Sequence, residues 1–318
     1  MEPHDWLMAG DPSIRWQTMA LHGEPDADVA AERARVATEG WGAALLARQE
    51  PDGGWGGGIY SPKWISTTYT MLLLWGLGLD PADPGGRRGC ERLTASLGSV
   101  AGQARVRSPE ACVTSMYVGL AAYFGMAGRR LDDAASWLLE DAVMPDGGWN
   151  CDAPLTGSRH SSFHTTVQVL EALAELRRHR PDPLIDERLA GGRRFLLAHR
   201  MFRSHRTGEV VDRRYLRFSY PPRWHYDVLR GLVHLADVDA PADPACAEAI
   251  AVVRDRRGAD GRWPLRQRWP GKAFFELEQP GQPSRWNTLR ALRVLDWWQR
   301  AGGAAAEAES AEVAVARG

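Results

Sequence analysis

The chain has 318 residues, with 39 Lys+Arg against 40 Asp+Glu, 9 His, 4 Cys and 14 Trp. A net charge of -1 lacks the cationic surplus that binding a phosphate backbone demands, so nucleic acid is not an expected partner. Cysteines scattered at 90, 112, 151 and 246 make no disulfide framework, and the longest apolar run, Met71 to Leu79, falls far short of the roughly 20 residues of a membrane-spanning helix.

In chain order, Asp11 to Leu21 predicts a helix capped by Asp11, with Pro12 in its first turn. Val36 to Gln49 carries Val36, Trp41, Ala44, Leu45 and Leu46 on a helix-compatible stripe. It stops at Pro51-Asp52-Gly53-Gly54-Trp55, where glycine supplies the left-handed conformation that ends helices. A glycine-rich loop, 56–62, leads to a second helix from Ser66 to Leu77, capped by Ser66 or Thr67. The Asp-Gly-x-Trp turn returns at Asp146-Gly147-Gly148-Trp149 and at Asp260-Gly261-Arg262-Trp263, followed by helices from Phe163 to Leu176 and Asn287 to Trp298. Two weaker units lack that turn. One has Glu110 to Phe124 as its second helix; the other has Arg193 to His199 and then Asp227 to Ala236.

These units make five helix pairs between about residues 30 and 300. No stretch alternates with period two, so the chain reads as all-α, with short ribbons confined to the long loops 203–222 and 264–283. Residues 1–301 form one domain; the Ala/Glu-rich tail 302–318 is expected to fray or stay disordered. Met1-Glu2-Pro3-His4-Asp5 has no positive or apolar signal-peptide region, and a cytoplasmic protein is expected. A solenoid and a closed ring both fit such repeats. The turns have a purely structural reading, with tryptophan packed over a helix end and glycine turning the chain.

Gln49-Glu50-Pro51-Asp52-Gly53-Gly54-Trp55 resembles the Gln-to-Trp repeat of squalene and other terpenoid cyclases. Gly53-Gly54-Trp55-Gly56-Gly57, with Lys63 and Thr68-x-Thr70, is also similar to the Gly-Gly repeat of protein prenyltransferase β subunits. The resemblance covers most of the chain. It implies an α/α toroid of about five to six helix pairs, with ligands held where the inner helices begin. Neither the Asp-x-Asp-Asp acid of protonating cyclases nor the magnesium-binding Asp-Asp-x-x-Asp occurs, which argues against ordinary squalene cyclisation. From the prenyltransferase side, the resemblance points to zinc as the one cofactor, held by Glu110, Cys112 and His164, with Glu110 standing where aspartate is expected. Cys112 has an alternative reading as a small core residue, and His164 as a neutral hydrogen-bonding imidazole.

A basic residue precedes an aromatic one just before four of the inner helices: Lys63-Trp64, Arg159-His160, Arg223-Trp224 and Arg285-Trp286, with Arg107 near the fifth. A cation at a helix N-terminus opposes the macrodipole, so capping does not explain the pattern. Gathered at one barrel mouth, these cations would attract a carboxylate, phosphate or diphosphate; each can instead stack on its own ring. Trp64, Tyr69, Phe163, Trp224 and Trp286 are candidate cavity aromatics, and Asp152, His164, His225 and Asp227 are candidate acid/base groups.

The favoured reading is an enzyme of specialised metabolism acting on a mainly apolar small molecule, with or without an anionic group. It is a cyclase, an isomerase or a prenyl-type transferase. The alternatives are a noncatalytic binding module and a β-like subunit of a zinc-dependent prenyltransferase complex. A monomer or homodimer is favoured over an obligate heterodimer.

Overall fold

A computed structural model describes residues 2–97 and 110–316, with side chains described through 312; Arg107 lies outside these residues. Among the described residues the protein is all-helical, and its β structure is limited to isolated bridges. The bridges Arg203↔Val210, Ser219↔Gln267 and Pro264↔Pro283 fall in the two long loops, and a fourth, Val143↔Trp149, lies outside them.

The helices run α1 (Pro3–Met8), α2 (Pro12–Leu21), α3 (Asp26–Ala34), α4 (Gly40–Leu46), α5 (Thr67–Leu77), α6 (Pro84–Ala95), α7 (Ala111–Tyr123) and α8 (Arg129–Glu140). They continue as α9 (Ala153–Thr156), α10 (Phe163–His179), α11 (Pro183–Ala198), α12 (Val228–Asp237), α13 (Ala247–Asp255), α14 (Arg285–Arg300) and α15 (Gly303–Ala316). The helix expected over 36–49 is shorter, because a 3-10 turn at Arg35–Ala37 and Gly40 divide that stretch before α4. The tail departs from its expected disorder. It forms α15, with Ala306 buried and Glu307 accepting from the Trp298 indole at 2.7 Å.

One local device recurs at each Asp-Gly-x-Trp turn. The indoles of Trp55, Trp149 and Trp263 donate to Leu45 O, Leu138 O and Val253 O at 2.8, 2.9 and 2.7 Å, tying each tryptophan to a carbonyl near the end of the preceding helix. Their backbone N–H groups donate to Thr67, Thr166 and Thr288 hydroxyls at 3.1, 3.1 and 3.0 Å, which fixes the start of the next helix. All three tryptophans are fully buried, so the structural reading of the turns holds. Gly147 sits at φ +90° with room for no Cβ, since one would lie 3.0 Å from Gly191 O.

Helix order gives the neighbours. Each of α5, α7, α10, α12 and α14 packs against the next in that series, and α14 packs on α2. From α2, the Trp16 indole donates to Leu77 O at the end of α5, at 2.9 Å. The pairs α5–α6, α7–α8, α10–α11, α12–α13 and α14–α15 also pack together. The α7–α10 contact is the closest of these because Gly119 faces Ala172; a Cβ on Gly119 would come within 3.1 Å of the Ala172 Cα.

Candidate functional site

Three neighbouring helices carry polar or aromatic residues spaced four and then three apart, which puts each set on one helix face. These are Glu171, Glu175 and Arg178 on α10, Arg230, His234 and Asp237 on α12, and Trp286, Arg290 and Arg293 on α14. All nine line one cavity of about 460 Å3, with Trp16 and Gln17 from α2, Tyr69, Leu72 and Trp75 from α5, and Tyr123 from α7. Tyr220 to Arg223, from the loop before α12, complete its lining. The volume is in the range of small-molecule sites.

The cavity has a closed end and an open one. Tyr69 and Trp286, in the first turns of α5 and α14, are only 1% and 2% exposed. Arg178 and Asp237, in the last turns of α10 and α12, have side chains 58% and 33% exposed. Access is therefore from the C-terminal ends of these helices.

The N-terminal end is filled by loop packing. Trp64 donates from its backbone to Lys272 O at 2.7 Å and from its indole to Pro270 O at 2.9 Å, and Lys272 N–H returns a bond to Lys63 O at 2.9 Å. His225 is sandwiched between Trp224 and Trp269, with ring centroids 3.7 and 3.3 Å away. A small hollow of about 40 Å3 under this loop has room for water and little else.

Charges along the cavity are mostly spent on each other. Arg230, nearly buried, donates to Glu171 at 2.7 and 2.5 Å and to Gln168 at 2.9 Å. Arg293 pairs with Asp237 at 2.9 Å, Arg178 with Glu175 at 2.5 Å, and Arg290 donates to Ser219 O at 3.0 Å. Asp237, the last residue of α12, is exposed at the mouth of the cavity and held by Arg293; partial desolvation raises its carboxyl above the ordinary aspartate range against that pull. His234, buried beside Arg193, is pushed down to about 3, chiefly by desolvation and then by that cation.

The residues singled out from sequence divide into several environments. Tyr69, Trp286 and Arg223 line the cavity. Asp152, Arg159 and His160 lie exposed on the loop before α10, away from it. Arg285 is committed to the N-terminal segment, stacked 4.4 Å over Trp6 and donating to its carbonyl at 3.0 Å. Lys63 is exposed, its ammonium 5.6 Å from the Trp224 ring. Of the expected ring of cations, Lys63, Arg223 and Arg285 lie against aromatic rings, Arg159 is exposed, and Arg107 is outside the described residues. Phe163 is core, packed among Phe195, Tyr215 and Tyr226. Asp227 is a buried N-cap, accepting from Ser219 and from Arg230 N–H at 2.9 Å, which leaves it no free face for acid/base work. Burial drives His225 down to about 3 and His164 to about 4, keeping both neutral at pH 7.

The zinc ligands implied by the resemblance do not come together. His164 Nδ1 accepts the Tyr226 N–H at 2.7 Å and packs against Tyr215 and Trp224. Cys112 lies instead against Cys151, whose sulfur accepts the Cys112 N–H at 3.0 Å, while Glu110 begins α7. Among the described residues no group of three or more His, Cys, Asp or Glu is arranged to hold a metal ion. The donor set does not fit zinc.

Comparison with protein-family models, curated proteins and solved structures finds no match for this chain. The site therefore rests on geometry. Sequence reading missed the cavity stripes on α10, α12 and α14. Their signal is present as charged residues at helical spacing within otherwise apolar helices. Among the described residues no helix is long and apolar enough to cross a membrane.

Proposed function

We propose that the six neighbouring helices α2, α5, α7, α10, α12 and α14 form the inner ring of an α/α toroid. In this reading the protein is an enzyme of specialised metabolism that takes a mainly apolar small molecule into the ring's centre, as a cyclase, an isomerase or a prenyl-type transferase. The observation that carries the reading is the cavity of about 460 Å3, to which all six helices contribute side chains. Its walls include Trp16, Trp75, Tyr220 and Trp286, whose faces stabilise positive charge developing on a bound hydrocarbon. Asp237, exposed at the mouth of the cavity, supplies the acid, its carboxyl raised above the ordinary aspartate range. Glu171, Arg230 and Gln168 hold one another and keep the wall rigid.

Native mass spectrometry of the freshly purified chain, followed by chromatography of the released molecule, tests the reading. A retained apolar compound, converted to product by the wild type and about a hundredfold more slowly by Asp237→Asn, is expected. A compound turned over equally by both proteins removes Asp237 from the chemistry. If no apolar compound is retained and none from a panel of isoprenoid alcohols binds, the small-molecule reading fails.

A further inference from the structure

Arg223 differs from the other arginines that line the cavity. Arg33, Arg178, Arg230, Arg290 and Arg293 each hydrogen-bond or ion-pair to protein groups. The Arg223 guanidinium has no hydrogen-bond or ion-pair partner among the described residues and lies over the Trp64 ring, 5.3 Å from its centroid. Residues 1, 98–109 and 317–318, outside the described set, contain no Asp or Glu side chain that would neutralise it. It sits at the closed end, between the large cavity and the small hollow, and lines both. Burial draws it down to about 10, so it stays charged at neutral pH. Its backbone is left-handed, at φ +59°, a conformation that costs a non-glycine residue free energy and is found where surrounding structure or function demands it.

Next to it, Tyr220 lines the same cavity with a hydroxyl that has no hydrogen-bond partner among the described residues. Its ring is stacked on Trp286 at a centroid distance of 4.0 Å, so the phenol is held in place. A half-buried cation and a fixed hydroxyl, neither paired to another group of the described protein, thus face the same aromatic cavity and are free to bind an incoming acceptor.

We infer that the cavity binds an amphipathic carboxylate, head-first from the open end, with the carboxylate on Arg223 and Tyr220 and the apolar body along Leu72, Leu73 and Trp286. This rests on the small-molecule reading above and specifies its ligand class. One free guanidinium supplies one charge and a planar fork, which matches a carboxylate. A diphosphate carries more negative charge than one free arginine balances, and the other cavity arginines are already engaged. Tyr220 then adds a second hydrogen bond to the same head.

Calorimetric titration with decanoate, decanol, decyl phosphate and decylammonium tests the inference. Wild type is expected to bind decanoate at least about tenfold more tightly than decanol, and decylammonium least. Arg223→Met should lose that tenfold for decanoate while leaving decanol within about twofold, and Tyr220→Phe should lose a smaller part. Arg223→Lys should fall between wild type and Arg223→Met. If Arg223→Met does not fold, the ligand series on wild type still decides. Equal affinity for decanoate and decanol overturns the inference and leaves the cavity standing. Tenfold preference for decyl phosphate overturns the carboxylate assignment. Failure of every probe, decanol included, counts against the small-molecule reading itself.

Discussion

At the scale of the residue, each Asp-Gly-x-Trp turn joins two helices through one side chain and one backbone N–H. Trp149→Phe would leave Leu138 O without its indole donor and remove buried area, costing about 2–3 kcal/mol; its urea midpoint should fall with an unchanged m-value. Gly147→Ala, strained at φ +90° and crowded by Gly191 O, should cost about 1–2 kcal/mol. Unfolding curves check both, and a loss below about 0.5 kcal/mol for Trp149→Phe would contradict the double role of the indole. Buried histidines set the response to acid. The folded values of His164, His225 and His234 lie below the unfolded value near 6.5, so the unfolded chain takes up more protons as pH falls. Their stabilisation is complete above pH 6.5 and is lost as pH drops toward 4 and 3. Thermal midpoints should therefore fall between pH 7 and pH 4.5, with about 2 kcal/mol of the loss traceable to buried His234. His234→Asn should flatten the profile; a profile as steep as wild type would show that carboxylates alone set it.

At the scale of the element, the helix pairs and their turns were readable because Gly and Trp at fixed offsets impose local geometry wherever they recur. The polar stripes were not. Glu171, Glu175 and Arg178 satisfy the pattern of a solvated face, and only the packing of α10 between α7 and α12 turns that face inward. The same limit explains the zinc expectation. Glu110, Cys112 and His164 share a linear order with a metal site, yet the loop before α12 delivers the Tyr226 N–H to the imidazole first. The tail was misread because Ala/Glu composition is ambiguous between coil and helix. Packing decides it, since α15 closes over Trp298 and pairs Glu307 with Arg254 at 2.8 Å. Deletion of residues 303–318 should lower stability by about 2 kcal/mol and raise the accessibility of Trp298 to acrylamide quenching. An unchanged denaturation curve would mean that α15 contributes no stabilising packing.

At the scale of the whole molecule, the repeat predicts helices in sequence but not which end of their array is open. That follows from the long loops: 203–222 and 264–283 place Trp269 and Pro270 over the N-terminal ends and leave the C-terminal ends free. Aromatic rings beside cations, which suggested a charged mouth, seal that end instead. Gly76 offers the direct test of the cavity at the other. It lies on α5 in the cavity lining, where an added Cβ would come 3.3 Å from the Tyr220 hydroxyl and meet nothing else, so Gly76→Trp can fill the space with a small shift of that side chain. The deciding measurement is calorimetric titration of decanol into wild type and Gly76→Trp. One molecule bound per chain by wild type, weakened at least about tenfold in the variant at an unchanged thermal midpoint, is the predicted result. Equal binding by the two proteins would contradict a ligand cavity among these helices.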